Sequence, residues 1–272
     1  MMRALWTGAS GMKAQQTNVD TIANNIANVN TVGYKSQSTQ FKSLLYQTLR
    51  TATTTANGAD KPTAAQVGLG TRVASTNSNF KQGAMQANTS PTALCISGEG
   101  FFSVRGADNE IYYTRSGDFL WALDNNGNRV LADAEGNMVL DYDGNPIYLP
   151  DGASGDSVSF GTDGAVAYRQ ADGNYVQTGQ RVALYQFNNT KGLVKTGATR
   201  FQASEASGAP ISERDGAGFV PSVIAQGYLE ASNVDVAEEM VNLIMAQRAY
   251  ELNSRAITTS DTMLEQANNL RR

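Results

Sequence analysis

The sequence predicts an α+β chain, with long N- and C-terminal coiled-coil helices flanking a central all-β domain that is reached through an extended linker. Three observations point there. Heptad-spaced apolar residues occupy both extremities, a glycine- and aromatic-rich middle lacks helical patterning, and a Thr/Ala/Gly stretch separates the first helix from that middle. The boundaries read as an N-terminal helical arm over 1–50, a linker over 51–71, a β-rich domain over 72–229 and a C-terminal helix over 230–272.

In the N-terminal arm Leu5, Met12, Val19 and Ile26 recur every seven residues, with Gly8, Gln15, Ile22 and Val29 between them. Gly8, Gly11 and several Thr, Asn and Val residues are poor helix formers, so this helix is marginal alone and needs a partner surface. The run closes at Asn30–Gly33, where Gly33 can take the positive φ of a helix stop, and Phe41, Leu44, Leu45 and Leu49 open a second short apolar pattern. Thr51 to Gly70, which holds TATTTANGADKPTAAQ, has no periodicity and reads as the linker.

The middle carries three repeats of Asp, two residues, Gly, Asn: Asp124 to Asn128, Asp133 to Asn137 and Asp141 to Asn145. Separated by short apolar runs, they predict hairpin turns and a meander. They lack the Gly and Glu positions of a calcium loop. Gly98 and Gly100 before Phe101 and Phe102 predict a bend into a buried strand and not a phosphate loop, because no helix signal follows.

The C-terminal arm has an unbroken row of Val236, Leu243, Tyr250, Ile257 and Leu264, flanked by Ala246, Ala249, Ala256, Met263, Ala267 and Leu270. Asp235 ahead of Glu238 has the form of a helix start. From Val236 to Asn269 the helix would run about 51 Å, longer than one domain needs. The two terminal helices are therefore expected to pair with each other and with helices of other copies of the same chain.

Composition narrows the chemistry. There is no histidine, which removes Ser/His, Cys/His and His-ligated metal mechanisms. Cys95 is the one cysteine and lies in the apolar stretch Ala93–Ile96, which predicts burial. With 21 Lys+Arg against 25 Asp+Glu, the net charge of −4 gives no field for nucleic acid. The arms differ in sign: Arg3, Lys13, Lys35, Lys42 and Arg50 outweigh Asp20 in residues 1–50, whereas residues 230–272 are net acidic. No stretch reaches the roughly 18 apolar residues of a membrane span, and no cleavable signal peptide is visible. No enzyme activity, cofactor, metal or small-molecule substrate is expected.

The strings ANNIANVNTVGYK (Ala23 to Lys35) and AQRAYELNSRAI (Ala246 to Ile257) resemble the two terminal signatures of the flagellar rod and hook family. SGEGFFSV (Ser97 to Val104) and YTRSGDF (Tyr113 to Phe119) are similar to landmarks of its longer members. QQTNVDTIANN, LLYQTLR and QGYLEASNVDVAEEMVNLI are most similar to the distal-rod branch. The resemblance implies a non-enzymatic subunit that polymerises helically into a hollow, torque-transmitting shaft. It implies self-association, axial neighbours of the proximal rod and hook, ring or bushing proteins, and export without a cleavable signal through the flagellar type III apparatus. The expected assembly interface is Leu5, Met12, Val19, Ile22, Ile26, Val29, Val236, Leu243, Tyr250, Ile257 and Leu264, and the signature residues are Asn24, Asn25, Asn28, Asn30, Gly33 and Tyr34. Two alternatives stand beside this: another axial protein of the same family, or a cell-wall glycan-binding module.

Overall fold

A computed structural model describes residues 2–50, 65–124, 127–150, 153–170, 173–197, 199–214 and 218–270. The architecture is α+β, with one N-terminal and one C-terminal helix flanking a β-rich middle. The chain divides into two compact units, one made of Met1–Ala27, Gln37–Asn77 and Asp235–Arg272, the other of Asn28–Ser36 and Ser78–Val234.

The first unit contains helices α1 (Met2–Ala27) and α2 (Val236–Asn269) with strands β1 (Gln37–Ser43), β2 (Tyr46–Arg50), β3 (Ala65–Gly68) and β4 (Thr71–Ser78). Asp235 caps α2, accepting from the backbone N–H groups of Ala237 and Glu238, while Glu238 and Glu239 sit at the positive end of the helix dipole. The start, end and cap expected of this helix are all present.

The other end requires a correction. Helical character does not run through residue 50: α1 ends at Ala27, and the apolar pattern around Phe41–Leu49 belongs to β1 and β2. In Gln37–Ser43 the half-buried residues are Gln37 and Thr39, two positions apart as one face of a strand requires, and the strand pairs with β4. Of the expected linker, residues 51–64 lie outside the described residues; Ala65–Gly68 returns as β3, antiparallel to β2.

The second unit is built almost wholly of antiparallel strands. In chain order these are β5 (Met85–Ala87), β6 (Leu94–Ser97), β7 (Phe101–Arg105), β8 (Ile111–Thr114), β9 (Phe119–Leu123), β10 (Arg129–Asp133) and β11 (Met138–Val139). They continue as β12 (Val158–Phe160), β13 (Ala165–Arg169), β14 (Tyr175–Arg181), β15 (Leu184–Gln186), β16 (Val194–Lys195), β17 (Arg200–Gln202), β18 (Ile211–Ser212), β19 (Val223–Gln226) and β20 (Tyr228–Glu230). The largest sheet follows the order β16-β17-β8-β7-β11-β10-β9, with β15 joining β7 and β18 joining β15. The expected turns close its hairpins: Asp124, Asp133 and Asp141 donate backbone N–H groups to Asn128, Asn137 and Asn145, and Gly127, Gly136 and Gly144 take φ of 81°, 85° and 76°.

Strand β7 shows why this unit packs as it does. Successive side chains of a strand point to opposite faces, so Phe102 enters a core with Leu94, Ile96, Phe119, Leu131 and Ile147 while Phe101 enters another with Tyr113, Phe187 and Phe201. The second core is aromatic, its rings meeting edge to face; Phe101 and Phe187 are 5.7 Å apart. Cys95 is fully buried, and burial pushes its thiol up to about 11.

Candidate assembly surface

In the first unit α1 and α2 run antiparallel. Gly8 faces Ile257, Gly11 faces Asn253, and Asn25 donates to Glu239 at 2.9 Å. The glycines permit this approach: a Cβ on Gly8 would stand 2.9 Å from Cγ1 of Ile257, and one on Gly11 2.9 Å from Nδ2 of Asn253. Each glycine costs a helix about 1 kcal/mol relative to alanine. Thr7, Thr17 and Thr21 turn their hydroxyls back to the carbonyls of Arg3, Lys13 and Thr17, so these β-branched residues leave no polar atom stranded.

Apart from Ile22 and the Ile257 that covers Gly8, the seam between the helices is small and polar. Its buried members are Gly8, Ala14, Ile22 and Asn25 on α1 and Ala246 and Ser260 on α2, with Ser260 donating to the carbonyl of Ala256. Asn25 is also tied to β1, donating to the carbonyl of Gln37 at 2.8 Å and accepting from its N–H at 2.9 Å. Burial pushes the Glu239 carboxyl up, against the Asn25 hydrogen bond that pulls it down.

The large apolar side chains face the other way. Trp6 is 70% exposed, and Val241, Ile244, Met245, Leu252 and Met263 of α2 are each more than half exposed. Burying side chains of this size is worth roughly 1.5–3 kcal/mol each, so a helix pair that hides its small residues and shows its large ones lacks a covering surface. Two hollows open on the pair. One, of about 430 Å³, is lined by Ile22, Phe41, Met245 and Ala246 among others; the second, of about 410 Å³, has Val19 and Tyr250 among its walls.

The second unit holds a buried ionic cluster. Lys35 donates to Oε1 of Glu230 at 2.6 Å and to the carbonyl of Lys81 at 3.0 Å, and the Arg115 guanidinium lies 3.9 Å from Oε2 of Glu230. All three side chains are at most 2% exposed. Arg115 also donates to the carbonyl of Gly98 at 2.7 Å and stacks over Phe101. Burial lowers the pKa of Lys35, with Glu230 opposing that shift, and lowers that of Arg115. Around the cluster the backbone is close-packed: Gly33 donates to the Glu230 carbonyl at 2.8 Å, and a Cβ on Gly117 would meet the Leu94 oxygen at 1.6 Å. Asn233 ties three segments together, accepting from Ser36 N–H and donating to the carbonyls of Asn79 and Lys81.

Comparison with known proteins bears on this geometry. Family models for the "Flagella basal body rod protein", the "Flagellar hook protein FlgE/F/G D1 domain" and the "Flagellar basal body rod FlgEFG protein C-terminal" match residues 5–35, 95–168 and 225–270. The chain is 43% identical to the flagellar basal-body rod protein FlgG of Borreliella burgdorferi and 36% identical to that of Bacillus subtilis, each over the whole of both chains. The chain belongs to the FlgG family. The flagellar hook-basal body complex protein FlhP of Bacillus subtilis is 30% identical over the same span, a more distant branch. As a FlgG-family member, the chain is a structural subunit of the distal part of the flagellar rod.

The positions singled out in this FlgG-family sequence separate in the structure. Ile22 is buried beside α2, and Ile257 packs on Gly8. Leu5, Met12, Val19, Ile26, Leu243 and Leu264 are half-buried, Val236 and Tyr250 lie near 40% exposure, and Val29 is half-buried in the second unit. Among the signature residues, Asn25 joins α1, α2 and β1. Gly33, at a φ of 69°, lies against Ser116, and Tyr34 is buried beneath the Lys195 ammonium. Thr31 donates its hydroxyl to Asn28; Asn24 and Asn30 are exposed. Sequence reasoning did not anticipate Glu230, Arg115, Asn233 or the outer residues Val241 and Ile244. Their letters stood inside quoted strings, but nothing local marks a charge as buried.

Proposed function

We propose that this chain polymerises helically through its two terminal helices into a rigid hollow shaft that carries torque from motor to hook, and that it catalyses no reaction. The observation that carries the reading is the inverted helix pair: Gly8, Gly11, Ala246 and Ser260 lie within it, while Trp6, Val241, Ile244 and Leu252 lie outside. Covering those side chains with neighbouring copies turns the pair into part of a larger coiled coil. Ile22 and Ile257 hold the pair together within one chain. The half-exposed rows Leu5, Met12, Val19, Ile26 and Val236, Leu243, Tyr250, Leu264, with Val29, meet neighbouring copies.

Axial neighbours are the proximal-rod and hook proteins, and ring proteins surround the shaft. Export proceeds through the flagellar type III apparatus. The test is Ile244→Asp. Ile244 is 56% exposed, so folding should change by no more than about 0.5 kcal/mol. Rods should nonetheless fail to form and swimming should be lost. Rods of normal length in that strain would overturn the proposal.

A further inference from the structure

The second unit contains a hollow of about 410 Å³ whose walls include Phe80, Lys81, Gly98, Glu99, Arg115 and Thr190. Lys81 and Glu99 are exposed at its rim, whereas the Arg115 side chain, only 2% exposed, forms the floor. That floor is anchored. Nη2 of Arg115 donates to the carbonyl of Gly98, itself a wall residue, so the guanidinium head is held against the hollow while it stacks over Phe101. Phe80 supplies an apolar wall, fixed edge to face by Phe101 and Phe201 at 5.4 and 5.0 Å.

Arg115 is poorly served for a buried cation. Its nearest carboxylate, Glu230, is shared: Oε1 takes the Lys35 ammonium at 2.6 Å, and Oε2 stays 3.9 Å from Nη1 of Arg115. Neither Nε nor Nη1 of Arg115 has an acceptor among the described residues. A guanidinium carries five donors, and its strongest partner is a planar carboxylate. The other acids nearby do not fill that role, since Glu213 accepts from Gln186 and Ser222, and both Glu213 and Glu99 act on Arg115 only by longer-range attraction. Of the charged groups lining the hollow, Lys81 and Arg115 stand against Glu99 alone. We propose that this hollow binds a single carboxylate group, held by Arg115, attracted by Lys81 and with its carbon skeleton against Phe80. Glu99, Glu213 and Glu230 would repel a second negative charge, so a dianion such as sulfate fits worse.

Titration of the full-length, 15N-labelled chain tests this at pH 7, with sodium acetate exchanged for sodium chloride at constant ionic strength. The signals followed are the Arg115 Nε–H and the amides of Gly98, Glu99 and Thr190. Acetate should shift them saturably, half-way below about 50 mM, as suits a ligand of so few atoms. Sulfate should bind at least five-fold more weakly. Changes at Arg115 itself would disturb the buried cluster, so the rim is varied instead: Glu99→Gln should tighten acetate at least three-fold and Lys81→Glu should weaken it at least three-fold. Free L-glutamate and its N-acetyl, α-amide form separate the sources of the group. Binding of the blocked form at least as tight as that of the free one supports an acidic protein side chain, and tighter binding of the free form supports a soluble acid. Acetate that behaves as chloride does, or an affinity indifferent to both rim variants, would overturn the proposal.

Discussion

Replacing Glu230 with Gln should cost the β-rich unit about 3–5 kcal/mol, the range expected when one partner of a buried ion pair is removed. Its Oε1 accepts Lys35 at 2.6 Å and Gly83 N–H at 2.9 Å, and its Oε2 lies 3.9 Å from Arg115. Glutamine keeps the shape and one acceptor but leaves two buried cations facing each other. Lys35 can escape by losing its proton. At pH 7 that route costs at most about 5 kcal/mol, being 1.4 kcal/mol for each pH unit below the ordinary value of 10.5. Arg115 has no such route. Lys35→Met removes a cation and leaves Glu230 beside Arg115, one charge of each sign, so it should cost at least about 1 kcal/mol less than Glu230→Gln. Urea unfolding at pH 7 measures both, followed by Trp121 of β9 in a Trp6→Phe background. In the Glu230→Gln chain the folded pKa of Lys35 falls further below that of the unfolded chain. The unfolded state then binds more protons between those two values, and stability rises with pH across that window. A Glu230→Gln chain within 1 kcal/mol of the parent, or a Lys35→Met chain that is the weaker of the two, would refute this account of the cluster.

Gly117→Ala should abolish cooperative folding of the second unit, because its Cβ would lie 1.6 Å from the Leu94 oxygen; circular dichroism melts read this directly. Between pH 9 and 11 stability should fall by about 1.4 kcal/mol per pH unit from Cys95 alone, since the unfolded thiol ionises near 9.0 and the folded one at about 11; in Cys95→Ala that contribution to the slope should vanish from alkaline urea titrations. Asp235→Ala removes the cap that accepts from Ala237 and Glu238 and should weaken the start of α2 by about 1 kcal/mol, seen as faster amide exchange over residues 237–240.

Much of the fold is legible locally. Asp235 and Glu238 mark the first turn of α2, unbroken heptads carry it to Asn269, and the three Asp-x-x-Gly-Asn loops announce their hairpins, because capping and positive φ depend on neighbours in sequence. The strands over residues 37–50 were not legible. Phe41 and Leu44 are three apart and Leu45 and Leu49 four apart, spacings that suit a helix, and only pairing with β4 and β3 makes the segment extended. The ionic cluster was equally hidden, since Lys35, Arg115 and Glu230 are separated by 80 and 115 positions along the chain, and charge in a sequence carries no sign of burial.

The sequence by itself determined that both ends are helical near their extremities, that their apolar residues recur at heptad spacing, and that a glycine-punctuated β meander lies between them. Tertiary structure alone decided which apolar row covers which. Heptad spacing says that a helix has a greasy face, but α2 has several, and the close approach that Gly8 and Gly11 allow directs Ala246, Asn253 and Ser260 inward and leaves Ile244 and Leu252 outside. That choice is steric and set by residues more than two hundred positions apart, so local pattern could not make it.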